Sequence, residues 1–198
     1  MLKRILFVCT GNTCRSPMAE AMLREQARLR SLPIEVRSAG VSTVDGLPVS
    51  EHARAVLRGR GIPDDGSSTA IGSDSVEWAD LVLTMTTGHK RHLLQRFPNA
   101  VDKTFTLKEY TQTDESVVAD IAELEALYTE WHMKQALGGQ LSPEERNRLL
   151  ELERRIPGFD IADPFGGSLE MYRICADEIA QSMDKLLLKL YGESPKAD

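Results

Sequence analysis

The stretch that most constrains this chain is residues 5–20, where an apolar run is followed by a polar loop and then by a helical pattern. The run Ile-Leu-Phe-Val ends at Val8 and is typical of a buried strand. Ser16 and Pro17 suit the N-cap and the first position of a helix. A strand that leads through a short loop into a helix N-terminus directs backbone N–H groups and the positive end of the helix dipole at one point. The sequence therefore predicts an anion site here, with Cys9 facing it from the end of the strand.

The loop between Cys9 and Arg15 has the residue types that bind a phosphoryl group. Five residues separate the two, so the loop can curl until the guanidinium group lies over the sulfur. Arginine binds two phosphate oxygens through parallel charge-assisted hydrogen bonds, and loop N–H groups can bind the others. The same positive field favours a thiolate, so Cys9 is predicted to be an ionised nucleophile. The predicted phosphate-binding residues are Thr10, Gly11, Asn12, Thr13, Cys14, Arg15 and Ser16.

The cysteine pair has two other interpretations. A structural zinc site needs two further ligands, but the nearest histidine is His52 and the sequence has no second cysteine pair. Burial of Cys9 and Cys14 as small apolar side chains is the other interpretation. Because the pair lies between a strand and a helix start, with Gly, Asn and Ser in the loop, phosphate chemistry is favoured.

Two motifs together resemble a known family. The sequence Cys-Thr-Gly-Asn-Thr-Cys-Arg-Ser-Pro, residues 9–17, resembles the active-site loop of the low-molecular-weight protein tyrosine phosphatases. Residues 161–172, Ile-Ala-Asp-Pro-Phe-Gly-Gly-Ser-Leu-Glu-Met-Tyr, resemble the loop that carries the general acid of those enzymes. The resemblance implies that Cys9 is the nucleophile, that Arg15 binds phosphate and that Asp163 is the general acid. It covers most of residues 1–110 and 160–191.

Two departures from the tyrosine-directed pattern indicate a branch of that family. The chain has Thr13 where those members carry an aliphatic residue, and Phe165 followed by two glycines where they carry an aromatic pair. Both features resemble the protein arginine phosphatases, which implies phosphoarginine as the substrate and an opposing protein arginine kinase. A hydroxyl near the nucleophile can interact with a polar guanidinium substituent, whereas an aliphatic group favours an aromatic ring. Thr13 and Phe165 are therefore the predicted selectivity residues.

The rest of the chain alternates predicted strands with predicted helices. This order indicates an α/β fold with a parallel sheet and helices on both faces. We expect a single domain with a four-stranded, flavodoxin-like sheet of order 2-1-3-4, whose ligand site lies at the carboxyl ends of the strands. Strands are predicted at residues 5–8, 34–38, 80–85 and 101–107, and helices at 17–30, 50–59, 87–96 and 169–191.

Several side chains outside the two motifs carry specific expectations. Met18, Met22 and Leu29 are predicted on the apolar side of the first helix. Ser38 is predicted either to brace the active-site loop through Asn12 or to be an ordinary serine at a strand end. The basic cluster at residues 89–92 is predicted to be a solvated helix face, with contact to an acidic substrate as the alternative. Cys175 is predicted to be a small buried apolar residue.

Residues 111–160 form a predicted insertion within a phosphatase domain that spans 1–198. Fifty-two residues separate Tyr110 from Asp163, and apolar spacing predicts two helices, divided at Gly138. Ser142 begins the second helix with a capping-box pattern. The segment 111–162 holds 11 acidic and five basic side chains, so its balance of −6 equals the net charge of the whole chain. It is interpreted either as a solvated decoration or as an acidic lid or docking arm.

Composition excludes several classes of function. The net charge is −6, the pI is about 5.3 and no basic stripe carries aromatic residues, which disfavours a nucleic-acid role. No apolar run predicts a membrane span, and the run before Cys9 is too short for a signal peptide. Three cysteines suit a reducing compartment, so we expect a cytoplasmic protein. Covalent catalysis by an ionised cysteine needs no metal, so no metal or cofactor is expected.

The alternatives to a protein arginine phosphatase remain within or beside the same fold. The first is a phosphotyrosine phosphatase, for which Phe165 would supply an aromatic wall. An arsenate reductase needs a pair of relay cysteines, and this chain has only Cys14 and Cys175 to spare. A non-catalytic phospho-binding module would lack one of the three catalytic residues. Cys14 is also the predicted redox partner of Cys9, and the expected form is a monomer that acts on phosphorylated proteins.

Overall fold

The structure is a computed structural model, which describes residues 2–63 and 66–192. The outermost positions of the predicted domain, 1 and 193–198, lie outside the described residues. In chain order the elements are β1 (Lys3–Cys9), α1 (Arg15–Leu29), β2 (Ile34–Gly40), α2 (Glu51–Gly59), α3 (Ser73–Trp78), β3 (Leu81–Thr84), α4 (Thr87–Arg96), a 3₁₀ helix (Pro98–Lys103), β4 (Thr104–Thr106), α5 (Leu107–Tyr110), α6 (Glu115–Ala136), α7 (Pro143–Arg155) and α8 (Leu169–Tyr191).

The four strands form one parallel sheet in the order β2-β1-β3-β4. This confirms the predicted α/β class and the strand order 2-1-3-4. Cys9 pairs with Gly40 of β2, and Val8 pairs with Thr84 of β3. Because all strands run in the same direction, their carboxyl ends meet at one edge of the sheet, and Cys9 lies at that edge.

Successive residues of β1 point to opposite faces of the sheet, and each face is covered by its own apolar cluster. Phe7 packs in the cluster that contains Met18 of α1 and Ile179 of α8. Leu6 and Val8 pack in the cluster that includes residues of α3 and α4. β1 is therefore buried on both faces, as expected for the inner strand of a parallel sheet covered by helices on both sides.

Two sequence expectations about these elements are wrong in detail, and one element has no counterpart among the expectations. Leu29 lies at the last position of α1 and is 62% exposed, whereas Met18 and Met22 are buried as predicted. The fourth strand is shorter than residues 101–107, because Pro98 begins a 3₁₀ helix and Thr106 caps α5. The pattern 101–107 therefore combines three elements. The short helix α3 was not predicted.

The described chain divides into two compact units. The larger contains the sheet and comprises the described residues up to Thr111 and from Phe159 onward, and the smaller is Gln112–Gly158. In the smaller unit α6 and α7 are joined by ion pairs between Arg148 and Glu123, 2.6 Å, and between Arg155 and Asp120, 3.0 Å. The capping box predicted at Ser142 is present, with Glu145 as its partner.

The two longest helices, α6 and α8, have 22 and 23 residues. Charged side chains recur along both of them. Within the described part of the chain, no helix combines the length and the apolar character needed to cross a membrane.

Candidate active site

Cys9 ends β1 and is 3% exposed, with its sulfur turned into the loop that follows. The backbone N–H of Asn12 donates to Sγ at 3.2 Å, and the Ser16 hydroxyl oxygen lies 3.0 Å from Sγ. A backbone N–H and a hydroxyl thus converge on the sulfur, and both are groups that can bind a negatively charged atom at this position.

Asn12 organises the loop from its interior. It is fully buried and has a positive φ of 53°, a conformation that asparagine tolerates better than most residues. Its Oδ1 accepts from the Thr69 N–H at 2.7 Å, which fixes the orientation of the amide. Nδ2 then donates to the hydroxyls of Ser16 and Ser38, each at 2.8 Å. Because the Ser16 oxygen accepts from Asn12, its own proton is free to be donated to Cys9. The predicted bracing of the loop by Ser38 through Asn12 is confirmed.

The predicted N-cap at Ser16 is wrong. Helix α1 begins at Arg15, and Cys14 is its N-cap, although the Cys14 side chain makes no capping hydrogen bond to the first turn. Ser16 lies inside the helix, and its hydroxyl contacts Cys9 and Asn12 instead. Serine suits both a cap and an active-site loop, so residue type alone did not separate the two roles.

Arg15 connects the loop to the Asp-Pro segment. Its guanidinium is buried, Nη1 donates to the carbonyl of Ile161 at 3.3 Å, and Nη2 donates to Oδ2 of Asp163 at 2.7 Å. The side chain of Asp163 is 52% exposed, and its Oδ1 accepts from the N–H of Phe165 at 3.2 Å. Residues separated by 148 positions in sequence are thus in direct contact.

A cavity of about 200 Å³ lies where these residues meet. Phe165 is 75% exposed at its rim. The other predicted site residues, Asn12 and Ser16, do not line the cavity but are buried beneath it in contact with Cys9. The lining residues are Cys9, Thr10, Gly11, Thr13, Cys14, Arg15, Asp163 and Phe165.

Cys14 shares this cavity but lies in a different polar environment from Cys9. Its sulfur lies 3.1 Å from the hydroxyl of Tyr172 on α8, and 3.6 Å from the hydroxyl of Ser50, the N-cap of α2. Burial and the hydrogen bond with Cys14 raise the pKa of Tyr172 to about 12, so the phenol stays protonated. Cys9, Cys14 and Cys175 are all free thiols.

Cys175 on α8 is 2% exposed, which confirms the prediction of a buried residue. Burial raises the pKa of its thiol to about 12. A neutral buried thiol is a poor nucleophile, since thiolate is the reactive form.

His89 is the residue of this region that the sequence interpretation missed. The basic cluster predicts a solvated face, but His89 is only 7% exposed, and its Nε2 lies 2.7 Å from the hydroxyl oxygen of Thr10. Burial, and then the charge of Arg15, lower its pKa to about 4, so the imidazole is neutral at physiological pH. Its position just after β3, at the same sheet edge as Cys9, was the available signal.

The other residues of the basic cluster differ from one another in ion pairing and exposure. Lys90 pairs with Glu109 at 3.0 Å, whereas Arg91 and His92 are exposed as predicted. Within the described ranges, no group of three or more His, Cys, Asp or Glu side chains is arranged to hold a metal ion.

Comparison with known proteins identifies relatives along nearly the whole chain. Residues 4–129 match the family model described as low molecular weight phosphotyrosine protein phosphatase. A protein-arginine-phosphatase of Geobacillus stearothermophilus is 38% identical over 191 residues, which cover 96% of this chain and 97% of the relative. A protein-arginine-phosphatase of Bacillus subtilis is 32% identical over 186 residues, 94% of this chain and 95% of the relative.

A solved structure of similar fold carries a phosphoryl group at its own active site. It is described as YwlE arginine phosphatase, a cysteine-to-serine mutant with a phosphorylated active-site serine. It is 32% identical, has a TM-score of 0.70, and the match covers 96% of this chain and 97% of that one. In that relative, therefore, the side chain that replaces a cysteine accepts a phosphoryl group.

Proposed function

Because this chain belongs to the low-molecular-weight phosphotyrosine protein phosphatase family, we propose that it is a cysteine-dependent protein phosphatase that hydrolyses phosphoarginine in proteins. The observation that carries the proposal is the meeting of Cys9, Arg15 and Asp163 around one cavity that Thr13 also lines. Two relatives that align over nearly the whole chain bear the name protein-arginine-phosphatase, which supports the substrate class.

In the first step the Cys9 thiolate attacks phosphorus. The S–P bond forms while the P–N bond to the substrate guanidine breaks, and Asp163 donates its proton to the departing nitrogen. Arg15 and the loop N–H groups stabilise the charge on the phosphoryl oxygens. The products of this step are an unphosphorylated arginine and a phosphocysteine.

In the second step water hydrolyses the phosphocysteine. Asp163, now a carboxylate, accepts a proton from the water while the water oxygen attacks phosphorus. The S–P bond breaks, which restores the Cys9 thiolate. Inorganic phosphate leaves the site. Asp163 returns to its protonated form, so the cycle balances without a metal or cofactor.

The hydrogen bonds around Cys9 support its role as nucleophile and leaving group. The Asn12 N–H and the Ser16 hydroxyl both stabilise a negative sulfur. Stabilisation of the thiolate keeps it available for attack and also eases its departure from phosphorus in the second step. The buried Asn12 amide orients the Ser16 proton, so the contact depends on the loop interior.

Substrate selection is proposed to depend on Thr13 and Phe165, which line the cavity together with Cys9. The Thr13 hydroxyl provides a polar contact for a guanidinium group. Phosphotyrosine is the second candidate substrate, and the observation that favours it is the exposed ring of Phe165 at the cavity rim.

Cys14 is proposed to protect the nucleophile from irreversible oxidation. Peroxide oxidises the Cys9 thiolate to a sulfenic acid, and the Cys14 thiol then condenses with it to a disulfide with release of water. Both sulfurs line the same cavity. Peroxide inactivation that dithiothreitol reverses in the wild type, but not in Cys14→Ser, is the expected result; irreversible inactivation of both proteins would contradict it.

The wider setting follows from the substrate class. We propose that the protein works as a monomer in the cytoplasm, where a reducing environment preserves the free thiol that Cys9 needs. A protein arginine kinase would supply its substrates.

The acidic segment 111–160 is proposed to be an inserted helical hairpin that serves as a docking arm. Its deletion should slow reaction with a phosphorylated protein and spare a phosphorylated peptide.

The test is a comparison of initial rates for phosphoarginine and phosphotyrosine in otherwise identical peptides. We expect wild-type protein to prefer phosphoarginine, and Thr13→Ile to erode or reverse that preference. Thr43→Ile, a change of the same kind on a half-buried residue of another loop, is the control and should keep the wild-type preference. A wild-type preference for phosphotyrosine would assign the protein to the tyrosine-directed branch.

A further inference from the structure

The first turn of α4 lies between the two loops that meet at the cavity and contacts both of them. Thr86 is the N-cap of this helix, and its hydroxyl accepts from the His89 N–H at 3.1 Å. Thr87 faces the Asp-Pro segment, whereas His89 faces the loop that carries Cys9. Neither residue lines the cavity.

Asp160 joins the Asp-Pro segment to this turn. One of its oxygens, Oδ1, accepts from the Thr87 N–H at 2.7 Å and from the Thr87 hydroxyl at 3.0 Å. α4 has no acidic side chain in its own first turn. A carboxylate from another segment therefore supplies the negative charge that a helix N-terminus favours.

Ile161, the next residue, also holds the Asp-Pro segment in place. The Ile161 N–H donates to the Met85 carbonyl at 2.8 Å, and the Ile161 carbonyl accepts from Arg15. Ile161 is 1% exposed, whereas Asp163, two positions later, has a side chain that is 52% exposed. The fixed part of this segment is thus residues 160–161, and the position of Asp163 depends on it.

His89 joins the same turn to the nucleophile loop. Its Nε2 forms a hydrogen bond with the hydroxyl of Thr10, the residue directly after Cys9. Its Nδ1 has no hydrogen-bond partner in the described part of the chain. A buried nitrogen without a partner costs free energy, and an apolar side chain would fill the same space without that cost. The bond to Thr10 is therefore the property that distinguishes histidine here.

We infer that the first turn of α4 is a bracket that sets the distance between the nucleophile and the general acid, with Asp160 and His89 as positioning residues. Asp160 holds the segment that carries Asp163, and His89 holds the backbone of the anion-binding loop through Thr10. The inference rests on the proposed function, because it takes Cys9 as the nucleophile and Asp163 as the acid.

The two ends of the bracket predict different kinetic defects. A displaced Asp163 fails to protonate the leaving group, and this failure matters more for phenyl phosphate than for p-nitrophenyl phosphate, whose leaving group departs more readily as an anion. A displaced Thr10 disturbs the N–H groups that bind the phosphoryl oxygens. That defect should slow both substrates equally and weaken inhibition by inorganic phosphate.

The experiment measures kcat/KM for both aryl phosphates, together with the inhibition constant of inorganic phosphate, in five proteins. These are the wild type, Asp160→Ala, Asp160→Asn, His89→Leu and Asp163→Asn. The ratio of the two kcat/KM values does not depend on how much of a variant is folded. A merely structural role would therefore leave this ratio unchanged.

Asp163→Asn should lose kcat/KM most strongly with phenyl phosphate. Asp160→Ala should change the ratio in the same direction, with a loss for phenyl phosphate of roughly 10- to 100-fold, the scale of a misplaced catalytic group. Asp160→Asn keeps an oxygen acceptor for Thr87 and should recover much of that loss. His89→Leu should raise the phosphate inhibition constant several-fold without changing the ratio.

A matched control is Asp114→Ala, since Asp114 also caps a helix N-terminus through backbone N–H groups, at α6. It should change neither quantity. A ratio that shifts in Asp163→Asn but not in Asp160→Ala would overturn the bracket and leave the proposed acid intact. A ratio that shifts in neither would overturn the acid assignment and the bracket with it. An unchanged phosphate inhibition constant in His89→Leu would overturn the His89 end.

Discussion

The nucleophile loop, residues 9–16, and the acid loop, residues 159–168, meet at one cavity but are built in opposite ways. In the nucleophile loop Cys9, Asn12, Cys14, Arg15 and Ser16 are each at most 5% exposed. In the acid loop Ile161 and Pro164 are buried, whereas Asp163 and Phe165 are exposed. The first loop is fixed by its interior, and the second is held at one end.

This difference matches what each loop has to do in the proposed reaction. A thiolate and its anion-binding donors must keep a fixed geometry, because misplacement reduces the stabilisation of the transition state. Asp163 must give up a proton in one step and accept one in the next, so it needs contact with water. Arg15 connects the two loops, since it is buried in the first and donates to two residues of the second.

The largest effect is expected for removal of the nucleophile. Cys9→Ser should lower kcat on the order of 10⁶-fold, the scale seen when a covalent nucleophile is lost. The fold should remain, since serine is smaller and can keep the hydrogen bonds with Asn12 and Ser16. Activity on a phosphoarginine peptide and the midpoint of denaturant unfolding measure the two properties separately. Substantial activity in this variant would refute the assignment of Cys9.

Arg15→Lys should break the connection between the loops. Lysine lacks the planar fork that binds two phosphate oxygens and cannot reproduce both contacts to the acid loop. We expect kcat/KM to fall about 10²- to 10³-fold, the scale of losing a preorganised donor to a developing charge. Arg24→Lys, a change on the exposed face of α1, is the control and should have wild-type kinetics. Equal kinetics for the two variants would show that the fork is not needed.

Stability should depend on the nucleophile loop and hardly at all on the rim of the acid loop. Asn12→Ala removes the buried amide and its three hydrogen bonds, and we expect a loss of about 3 kcal/mol in the free energy of unfolding. Asn12→Gly tolerates the positive φ and separates that contribution from the hydrogen bonds. Phe165→Ser should change stability by less than about 0.5 kcal/mol. Similar losses in both loops would remove the contrast.

Acid should weaken the contact that His89 makes with the nucleophile loop. The pKa of His89 is about 4 in the fold, against an ordinary value of 6.5, because the neutral ring is buried and Arg15 lies nearby. Asp163 and Asp160 oppose this shift, and His92 adds to it. Because the pKa of His89 is lower in the folded protein than in the unfolded chain, the neutral ring contributes fully to the free energy of unfolding above pH 6.5. This contribution is lost as the pH falls from 6.5 to about 4.

The pKa shift of His89 sets the size of this loss of stability, and His92 provides the control. Each pKa unit corresponds to about 1.4 kcal/mol, so the loss is at most about 3 kcal/mol. Denaturant unfolding between pH 7 and 4 should show it in the wild type and in His92→Gln, whose histidine is exposed, but not in His89→Gln. An identical pH dependence in all three proteins would contradict this account of His89.

The sequence predicted best what depends on local pattern and chemistry. The helices 87–96 and 169–191 have the predicted bounds, because each starts at a capping Thr or Ser and runs through a continuous helical pattern. The motifs assign Cys9, Arg15 and Asp163 to one site, and in the structure all three line one cavity, where Arg15 contacts Asp163.

The sequence alone does not show which of several possible contacts a polar residue makes in the folded protein. Ser16 has the pattern of a cap but is used inside the active-site loop. His89 stands in a run of basic residues, which usually forms a solvated surface, and only the sheet edge brings it to Thr10. Asp160 has no motif at all, since its partner Thr87 lies 73 residues earlier.

The most direct test of the account is to trap the phosphoenzyme. Asp163→Asn, quenched in acid shortly after mixing with p-nitrophenyl phosphate, should carry one phosphoryl group on the peptide that contains Cys9, because this leaving group departs without the acid whereas the variant lacks the base for the second step. Mass spectrometry of the digested protein locates the group, and Cys9→Ala/Asp163→Asn, which should carry none at this position, is the control. Phosphate on Cys9 would support the two-step reaction. Release of phosphate without any phosphocysteine, or a phosphoryl group on Cys14, would contradict it.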